Sequence, residues 1–122
     1  MGMTPRELAI KIANMLDNKK ARDLTVIEVT EVTQIADYFV ICTGNSSTQV
    51  KAFADEVEFK LKQEGITPDH VEGHQSRSWI VLDYGCVLVH VFDEEARDFY
   101  DLERLWADGE RVDSEEYMVK PE

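Results

Sequence analysis

Residues 37–47 read DYFVICTGNSS, an apolar run that ends in a glycine-containing turn. The uninterrupted apolar residues from Tyr38 to Cys42 indicate a central strand that is covered on both faces. Ser46, with Gln49 three residues later, has the pattern of a helix start. This stretch therefore predicts a strand that passes through a short turn directly into a helix.

The segments on either side of this unit predict further helices and strands. Thr4-Pro5-Arg6-Glu7 has the pattern of a capping box with proline at the first helical position. In chain order the predicted elements are a helix at 5–20, a strand at 24–30, the strand at 37–43, a helix from Ser46 to Gly65, a strand at 66–72, a hairpin at 79–92 that turns at 83–85, and short helices capped by Asp93 and Asp101. Because strands must be covered by helices, the chain is predicted to form a single α/β domain (mixed α+β). We expect a mixed sheet of about five strands flanked by helices.

The composition excludes several classes of function. The 122 residues include 25 acidic and 13 basic side chains, which gives a net charge of −12 and an isoelectric point near 4.6. This charge opposes binding chiefly to nucleic-acid phosphate or to an anionic membrane. The two cysteines lie in apolar runs and do not form the disulfide framework of a secreted domain, and no apolar stretch is long enough to span a membrane. We therefore expect a soluble, cytoplasmic protein.

The C-terminal quarter is the most acidic part of the chain. Residues 93–122 carry twelve acidic and four basic side chains. From Glu110 onward the sequence is polar and has no periodicity, which predicts a loosely held tail. We therefore expect a folded domain at 1–108 and an acidic tail at 109–122, which is either a solvated segment or a surface for a basic partner.

The turn from Thr43 to Ser47 is the most enzyme-like feature of the sequence. A glycine turn that leads into a helix offers backbone N–H groups to a phosphate. Nucleotidyltransferases combine such a turn with paired carboxylates that hold two magnesium ions. Here Asp69 and Glu72 stand singly on a short predicted strand, so the paired carboxylates are missing. A small nucleotide- or phosphate-binding protein remains the alternative function.

The histidines predict neither a metal site nor a catalytic dyad. His70 and His74 have the spacing that chelates zinc on a helix, but Gly73 lies between them in a region predicted to be strand end and loop. Cys86 and His90 lie four residues apart on a predicted strand, which separates them by about 13 Å. We therefore predict that the protein is not an enzyme and that it requires no cofactor and no metal.

The hairpin at 79–92 is the best candidate for an interaction surface. Its first strand alternates, with Trp79, Val81 and Asp83 on one side and Ile80, Leu82 and Tyr84 on the other. One side must face the core. The other places a large aromatic side chain beside polar atoms, as in the anchors of protein interfaces, unless a second helical layer covers it. The sequence leaves open which side is exposed.

Five segments in chain order carry a family resemblance: residues 37–47, 71–73 (VEG), 79–85 (WIVLDYG), 89–92 (VHVF) and 100–106 (YDLERLW). Together they closely resemble the ribosomal silencing factor RsfS family, also called Iojap-like. The resemblance extends from about Leu8 to Trp106, and the segment after Asp108 lies outside it. It implies a fold similar to a nucleotidyltransferase core, here without the catalytic carboxylates.

The resemblance also implies a function without catalysis. Such factors bind the large ribosomal subunit through its protein uL-fourteen, block an intersubunit bridge and so repress translation. Carried onto this sequence, the resemblance implies partner contacts at Trp79, Leu82, Asp83, Tyr84, Glu94, Glu95 and Arg97. An acidic factor would gain steering toward a basic ribosomal protein. A homodimer, formed by pairing of the apolar hairpin edge with a second copy, is a further alternative.

Overall fold

The computed structural model of the protein describes residues 3–118. In chain order the elements are α1 (Pro5–Asn18), β1 (Arg22–Glu28), β2 (Tyr38–Gly44), α2 (Ser47–Gln63), β3 (His70–Glu72), β4 (Trp79–Asp83), β5 (Val87–Asp93), α3 (Glu94–Tyr100), α4 (Leu102–Leu105), β6 (Glu110–Arg111) and a 3₁₀ turn (Ser114–Glu116). Within residues 3–118, no helix has the length and apolar character that crossing a membrane requires.

The strands form one mixed sheet in the order β3-β4-β5-β2-β1-β6. Only the central β2–β5 pair is parallel among the strand pairs of residues 3–118, and every residue of β2 is buried. This arrangement confirms the predicted mixed α/β fold and its central strand. The sheet has six strands instead of about five, because the two-residue β6 is too short to leave a periodic pattern in the sequence.

Two helix starts form as their sequences predict. The Thr4 hydroxyl accepts a hydrogen bond from the Glu7 backbone N–H, and the Glu7 carboxylate accepts one from the Thr4 N–H. At α2 the Ser46 side chain accepts from the Gln49 N–H. These bonds satisfy N–H groups that the first turn of a helix leaves without a partner.

The third predicted cap is correct and the fourth is wrong. Asp93 caps α3 by accepting a hydrogen bond from the Ala96 N–H at 2.8 Å. Asp101 makes no side-chain cap at the start of α4. Its backbone is left-handed, with a φ of +44°, and it ends α3 by donating its own N–H to the Arg97 carbonyl. The two helices are too close together in sequence for Asp101 to take the extended backbone of an N-cap.

The two faces of the sheet are covered differently. Helices α1 and α2 pack on one face, here called the helix-covered face, and bury the larger core. The opposite face carries a smaller cluster with residues of α3 and α4, which includes Phe39, Ile41 and Phe92, with Trp79 and Trp106 only partly buried against it. The strands of the sheet centre are thus buried on both faces, while one face remains partly open.

The prediction of a loosely held tail is wrong for residues 110–118. Strand β6 pairs with β1, and Val112 and Tyr117 are only 8% and 4% exposed in the larger core. The Asn14 side-chain N–H₂ donates to the Tyr117 carbonyl at 2.9 Å, and Arg6 pairs with Glu116 at 2.6 Å. Two isolated apolar residues give no periodic signal, and contacts with α1 and β1 bury them. The last predicted tail residues, 119–122, lie outside the described residues.

Candidate functional site

The open side of the sheet carries a cluster of rings, here called the aromatic face: Phe39, Trp79, His90, Phe92, Tyr100 and Trp106. Trp79 lies at its centre, with its ring centroid 5.0 Å from that of Phe92 and 4.4 Å from that of Tyr100. The rings of Phe39 and Trp106 pack edge-to-face, with their centroids 5.4 Å apart. Such offset and edge-to-face pairs are the favourable geometries for aromatic rings, and α3 and α4 pack on the same cluster through Ala96 and Leu102.

Apolar side chains at the border of the aromatic face are open to solvent. Phe99 is 78% exposed, Leu105 is 70% exposed and Tyr100 is 43% exposed, while Trp79 is partly exposed. Exposed apolar side chains that lie together, next to polar ones, mark a protein interaction site. The sequence pattern missed Tyr100 as a member of this surface and His90 as a buried ring beneath it.

The hairpin register is the signal that could have found His90. Strand β4 pairs with β5 so that Trp79 lies opposite Phe92 and Val81 lies opposite His90. Paired residues in a sheet point to the same face. Trp79 and His90 are therefore neighbours on one face, as a hairpin that turns at 83–85 implies. Tyr100 gives no comparable signal, because its place depends on how α3 packs.

His90 and Trp79 share a hydrogen bond in the middle of the aromatic face. The Trp79 Nε1–H donates to His90 Nδ1 at 3.1 Å. His90 is only 6% exposed, and this burial lowers its pKa to about 4. The imidazole is therefore neutral at pH 7. Since Nδ1 accepts a bond, the proton is on Nε2, which has no hydrogen-bond partner among the described residues.

The buried His90 makes stability depend on pH. The unfolded chain takes up the imidazole proton near the ordinary pKa of 6.5, whereas the folded protein takes it up only near 4. As the pH falls from 6.5 to about 4, protonation of the unfolded chain therefore favours unfolding. Above pH 6.5 both states carry a neutral imidazole, and the folded protein loses no stability at this residue. We expect His90 to lower the free energy of unfolding by about 2 kcal/mol between pH 8 and pH 5.

Urea denaturation at pH 8 and pH 5 tests this expectation, with His90→Asn as the control. The variant keeps His70 and His74, so the difference between the two pH dependences isolates His90. Equal pH dependence of the two proteins would contradict a depressed pKa at this position.

Two of the residues implied as partner contacts lie on the helix-covered face. Leu82 is completely buried in the core beneath α1 and α2. Tyr84 packs against the same core, and burial raises the pKa of its hydroxyl. The implied contact at Leu82 is therefore wrong, because the strand alternation that exposes Trp79 turns Leu82 inward. Tyr84 is half-buried and lies on the opposite side of the hairpin strand from Trp79.

Three of the implied acidic contacts remain accessible to a partner. The Asp83 carboxylate accepts a hydrogen bond from the Gly85 N–H at 2.8 Å within the hairpin turn, and the side chain is partly exposed. Glu94 is exposed and pairs with Arg22 at 3.3 Å. Glu95 is also exposed. Surface ion pairs of this kind contribute little to stability, so these carboxylates can exchange partners at small cost.

The Arg97 side chain is mostly buried and is bonded to other residues of the protein. Its side chain is 10% exposed and forms an ion pair with Glu103, and it donates to Thr43 Oγ1 at 2.8 Å. Burial favours the neutral form of Glu103, but the hydrogen bond and charge of Arg97 outweigh it and lower the pKa of this carboxyl. The implied partner contact at Arg97 stays a prediction, although its guanidinium is already bonded within the protein. The residue ties α3 to β2 and α4.

The turn after β2 uses its own polar groups internally. The Asn45 N–H donates to the Gln49 side chain, and the Gln49 N–H donates to Ser46 Oγ. Two N–H groups that an anion would need are therefore already bonded.

Two acidic side chains of α2 lie close to one of the two histidines that have zinc-binding spacing in the sequence. Asp55, Glu58 and His74 have potential ligand atoms within 4.8 Å of one another, and His74 Nε2 lies 3.4 Å from a Glu58 oxygen. Lys51 already neutralises Asp55 at 2.6 Å. His70 is not part of this cluster, so the two histidines of the sequence pattern do not converge.

The fold and this surface together define a small acidic α/β domain built for contact with another macromolecule. A family model described as "RsfS: Ribosomal silencing factor during starvation" matches residues 3–122. The chain belongs to this family of ribosome-associated translational silencing factors. The match continues past residue 108, where the sequence predicted the end of the family domain.

Relatives and a solved structure support the assignment. The chain is 38% identical over 113 residues to the ribosomal silencing factor RsfS of Halalkalibacterium halodurans, with 93% of this chain and 97% of the relative covered. It is 31% identical over 98 residues to the mouse protein named "Mitochondrial assembly of ribosomal large subunit protein 1", covering 78% and 43%. A crystal structure of a Chromobacterium violaceum protein superposes with a TM-score of 0.82 at 32% identity, covering 98% of this chain and 92% of that one.

Proposed function

We propose that the protein binds the large ribosomal subunit through ribosomal protein uL-fourteen, blocks an intersubunit bridge and thereby prevents subunit joining. Translation is repressed because a large subunit that carries the factor cannot accept a small subunit. The observation that carries the proposal is the accessible part of the aromatic face, where Trp79 is partly exposed beside the exposed Tyr100 and Phe99. Family membership and the name of the mouse relative, which refers to the large subunit, support this choice of partner.

The chemistry of the surface fits a basic protein with an apolar contact patch. Trp79, Tyr100 and Phe99 offer apolar area that a partner can desolvate. Glu95 offers negative charge in the same groove as Phe99 and Tyr100, and Asp83 offers negative charge at the other end of β4 from Trp79. Interfaces combine such an apolar centre with a polar rim, and ribosomal proteins are usually basic, so opposite charges favour association and orientation.

This function requires no bond-making. A protein of 14.0 kDa that occupies a bridge surface excludes the small subunit by its volume. The degree of inhibition then follows from the concentration of the factor relative to its dissociation constant. For this function the protein needs an accessible face that binds the subunit, and it does not need a pocket.

The homodimer predicted through the hairpin edge does not fit the sheet. Strand β3 pairs with β4 at residues 81–83, and β5 pairs with β2. The outer strands of the described sheet are β3 and β6. Because both hairpin strands already have neighbours on each side, the hairpin offers no free edge over most of its length.

Sucrose-gradient analysis of subunit joining tests the proposal. Purified protein is added to isolated large subunits before small subunits, and the fraction of joined ribosomes is measured against protein concentration. We expect the protein to sediment with the large subunit and to lower the yield of joined ribosomes. Unchanged joining at saturating protein would refute the proposal.

The rim charge at Asp83 provides a prediction about salt dependence. Asp83→Asn keeps an oxygen for the hydrogen bond from Gly85 but removes the charge, and Asp83→Lys reverses it. We expect about a threefold loss of affinity for the first and about a tenfold loss for the second, each with a smaller dependence on ionic strength.

Equilibrium binding to large subunits at two salt concentrations measures these losses. Glu115→Lys is the matched control, because it makes the same change in net charge on the exposed 3₁₀ turn, away from the aromatic face. Equal effects of Asp83→Lys and Glu115→Lys would assign the loss to net charge and remove Asp83 from the site.

A further inference from the structure

The orientation of the Trp79 side chain is not fixed by ring stacking alone. The indole stacks on Phe92 and contacts Tyr100, with ring centroids at 5.0 and 4.4 Å. The χ2 torsion of an aromatic side chain is broad and roughly two-fold, so a half-turn of the indole retains much of this stacking while it moves the N–H to the other side. An additional interaction is needed to select one of the two orientations.

The hydrogen bond to His90 makes this selection. The Trp79 N–H donates to His90 Nδ1, and the partly exposed indole thereby gains a fixed point inside the protein. His90 can serve as this acceptor because its ring is itself immobilised, with Phe39 at 4.9 Å and Phe92 at 6.2 Å between ring centroids. The buried His90 ring thus uses its one acceptor nitrogen for the indole N–H of Trp79.

We propose that His90 is a positioning residue, which holds the Trp79 indole in the single orientation that the ribosomal partner recognises. The inference rests on the proposed function, because it concerns the same face. A partner that binds one orientation loses affinity in proportion to the fraction of molecules in the other. Without the acceptor, an inward-facing N–H has no partner, whereas the flipped indole can donate to water. The recognised orientation then becomes the minor one.

Two substitutions distinguish the effect of the hydrogen-bond acceptor of His90 from the effect of its ring volume. His90→Leu removes the acceptor while it retains apolar volume. His90→Asn places its acceptor oxygen, Oδ1, directly on Cγ, at the position where the histidine has Nδ1. We expect about a tenfold loss of affinity for isolated large subunits with His90→Leu, and a loss of less than about threefold with His90→Asn. His90→Met replaces the leucine variant if that variant does not fold.

Nuclear magnetic resonance supplies a readout that a purely structural role would not change. The protein has two tryptophans, so Trp106→Phe assigns the indole N–H signal of Trp79. We expect this signal to exchange slowly with water in the wild type and in His90→Asn, and to shift and exchange faster in His90→Leu. An unchanged signal in His90→Leu would overturn the inference.

A double-mutant cycle with Trp79→Phe completes the test. Phenylalanine has no N–H and a symmetric ring, so His90→Leu should cause no further loss of affinity in that background. The same loss in both backgrounds would overturn the positioning role. Normal wild-type binding together with unaffected His90→Leu binding would overturn this inference alone, whereas failure of the wild type to bind large subunits would overturn the proposed function as well.

Discussion

Replacing Trp79 with alanine is expected to weaken binding to the large ribosomal subunit by about 30-fold or more. Trp79 is partly exposed at the centre of the aromatic face, between Phe92 and Tyr100. Tryptophan at the centre of an interface is a frequent hot spot, and its truncation typically costs about 2 kcal/mol or more. The alanine also removes the shortest ring contact of Tyr100, which has its centroid 4.4 Å from that of Trp79, so the neighbouring surface loses support.

Equilibrium binding of labelled protein to isolated large subunits measures this loss. Phe59→Ala is the matched control, because Phe59 is a 61% exposed aromatic residue on α2, outside the aromatic face. Both substitutions remove an aromatic ring from the surface, and only Trp79→Ala should change the affinity. If Phe59→Ala weakens binding as much, the docking surface lies on the helix-covered side and the proposed face is wrong.

Those parts of the fold that depend on neighbouring residues could be predicted from the sequence. The buried strand at 38–44 and the helix that follows Ser46 were predictable, because an apolar run and a capping residue act within a few positions of each other. The capping box at Thr4 is equally local. These elements together already imply a mixed sheet with helices packed on it.

The parts that depend on packing between distant elements could not be predicted. The hairpin strand alternates apolar residues on both sides, and only the position of α1 and α2 buries Leu82 and leaves Trp79 open. Arg97 is one basic residue in an acidic segment, and its role follows from Glu103 and Thr43, which other elements bring to it. The location of the candidate site was therefore predictable to the hairpin, but not to the side on which Trp79 is accessible.

The position of Trp79 also depends on the backbone at Gly73, in the loop that leads from β3 to β4. Gly73 has a φ of +91°, and a Cβ added there would lie 1.9 Å from the Trp79 carbonyl oxygen. The atoms that it would meet belong to the backbone, so no side-chain rotation relieves the overlap. An alanine at this position must push apart the loop and the start of β4.

We therefore expect Gly73→Ala to lower the free energy of unfolding by more than about 3 kcal/mol, in the range reserved for substitutions that break a specific structural feature. Gly65→Ala is the matched control, because Gly65 has a similar φ of +79° with no heavy atom within 4 Å of the added Cβ. The strain of a left-handed alanine alone should cost the control about 1 kcal/mol. Urea denaturation of both variants measures the two losses. Equal losses would show that backbone strain alone explains the need for glycine at position 73. The close contact with the Trp79 carbonyl would then contribute nothing.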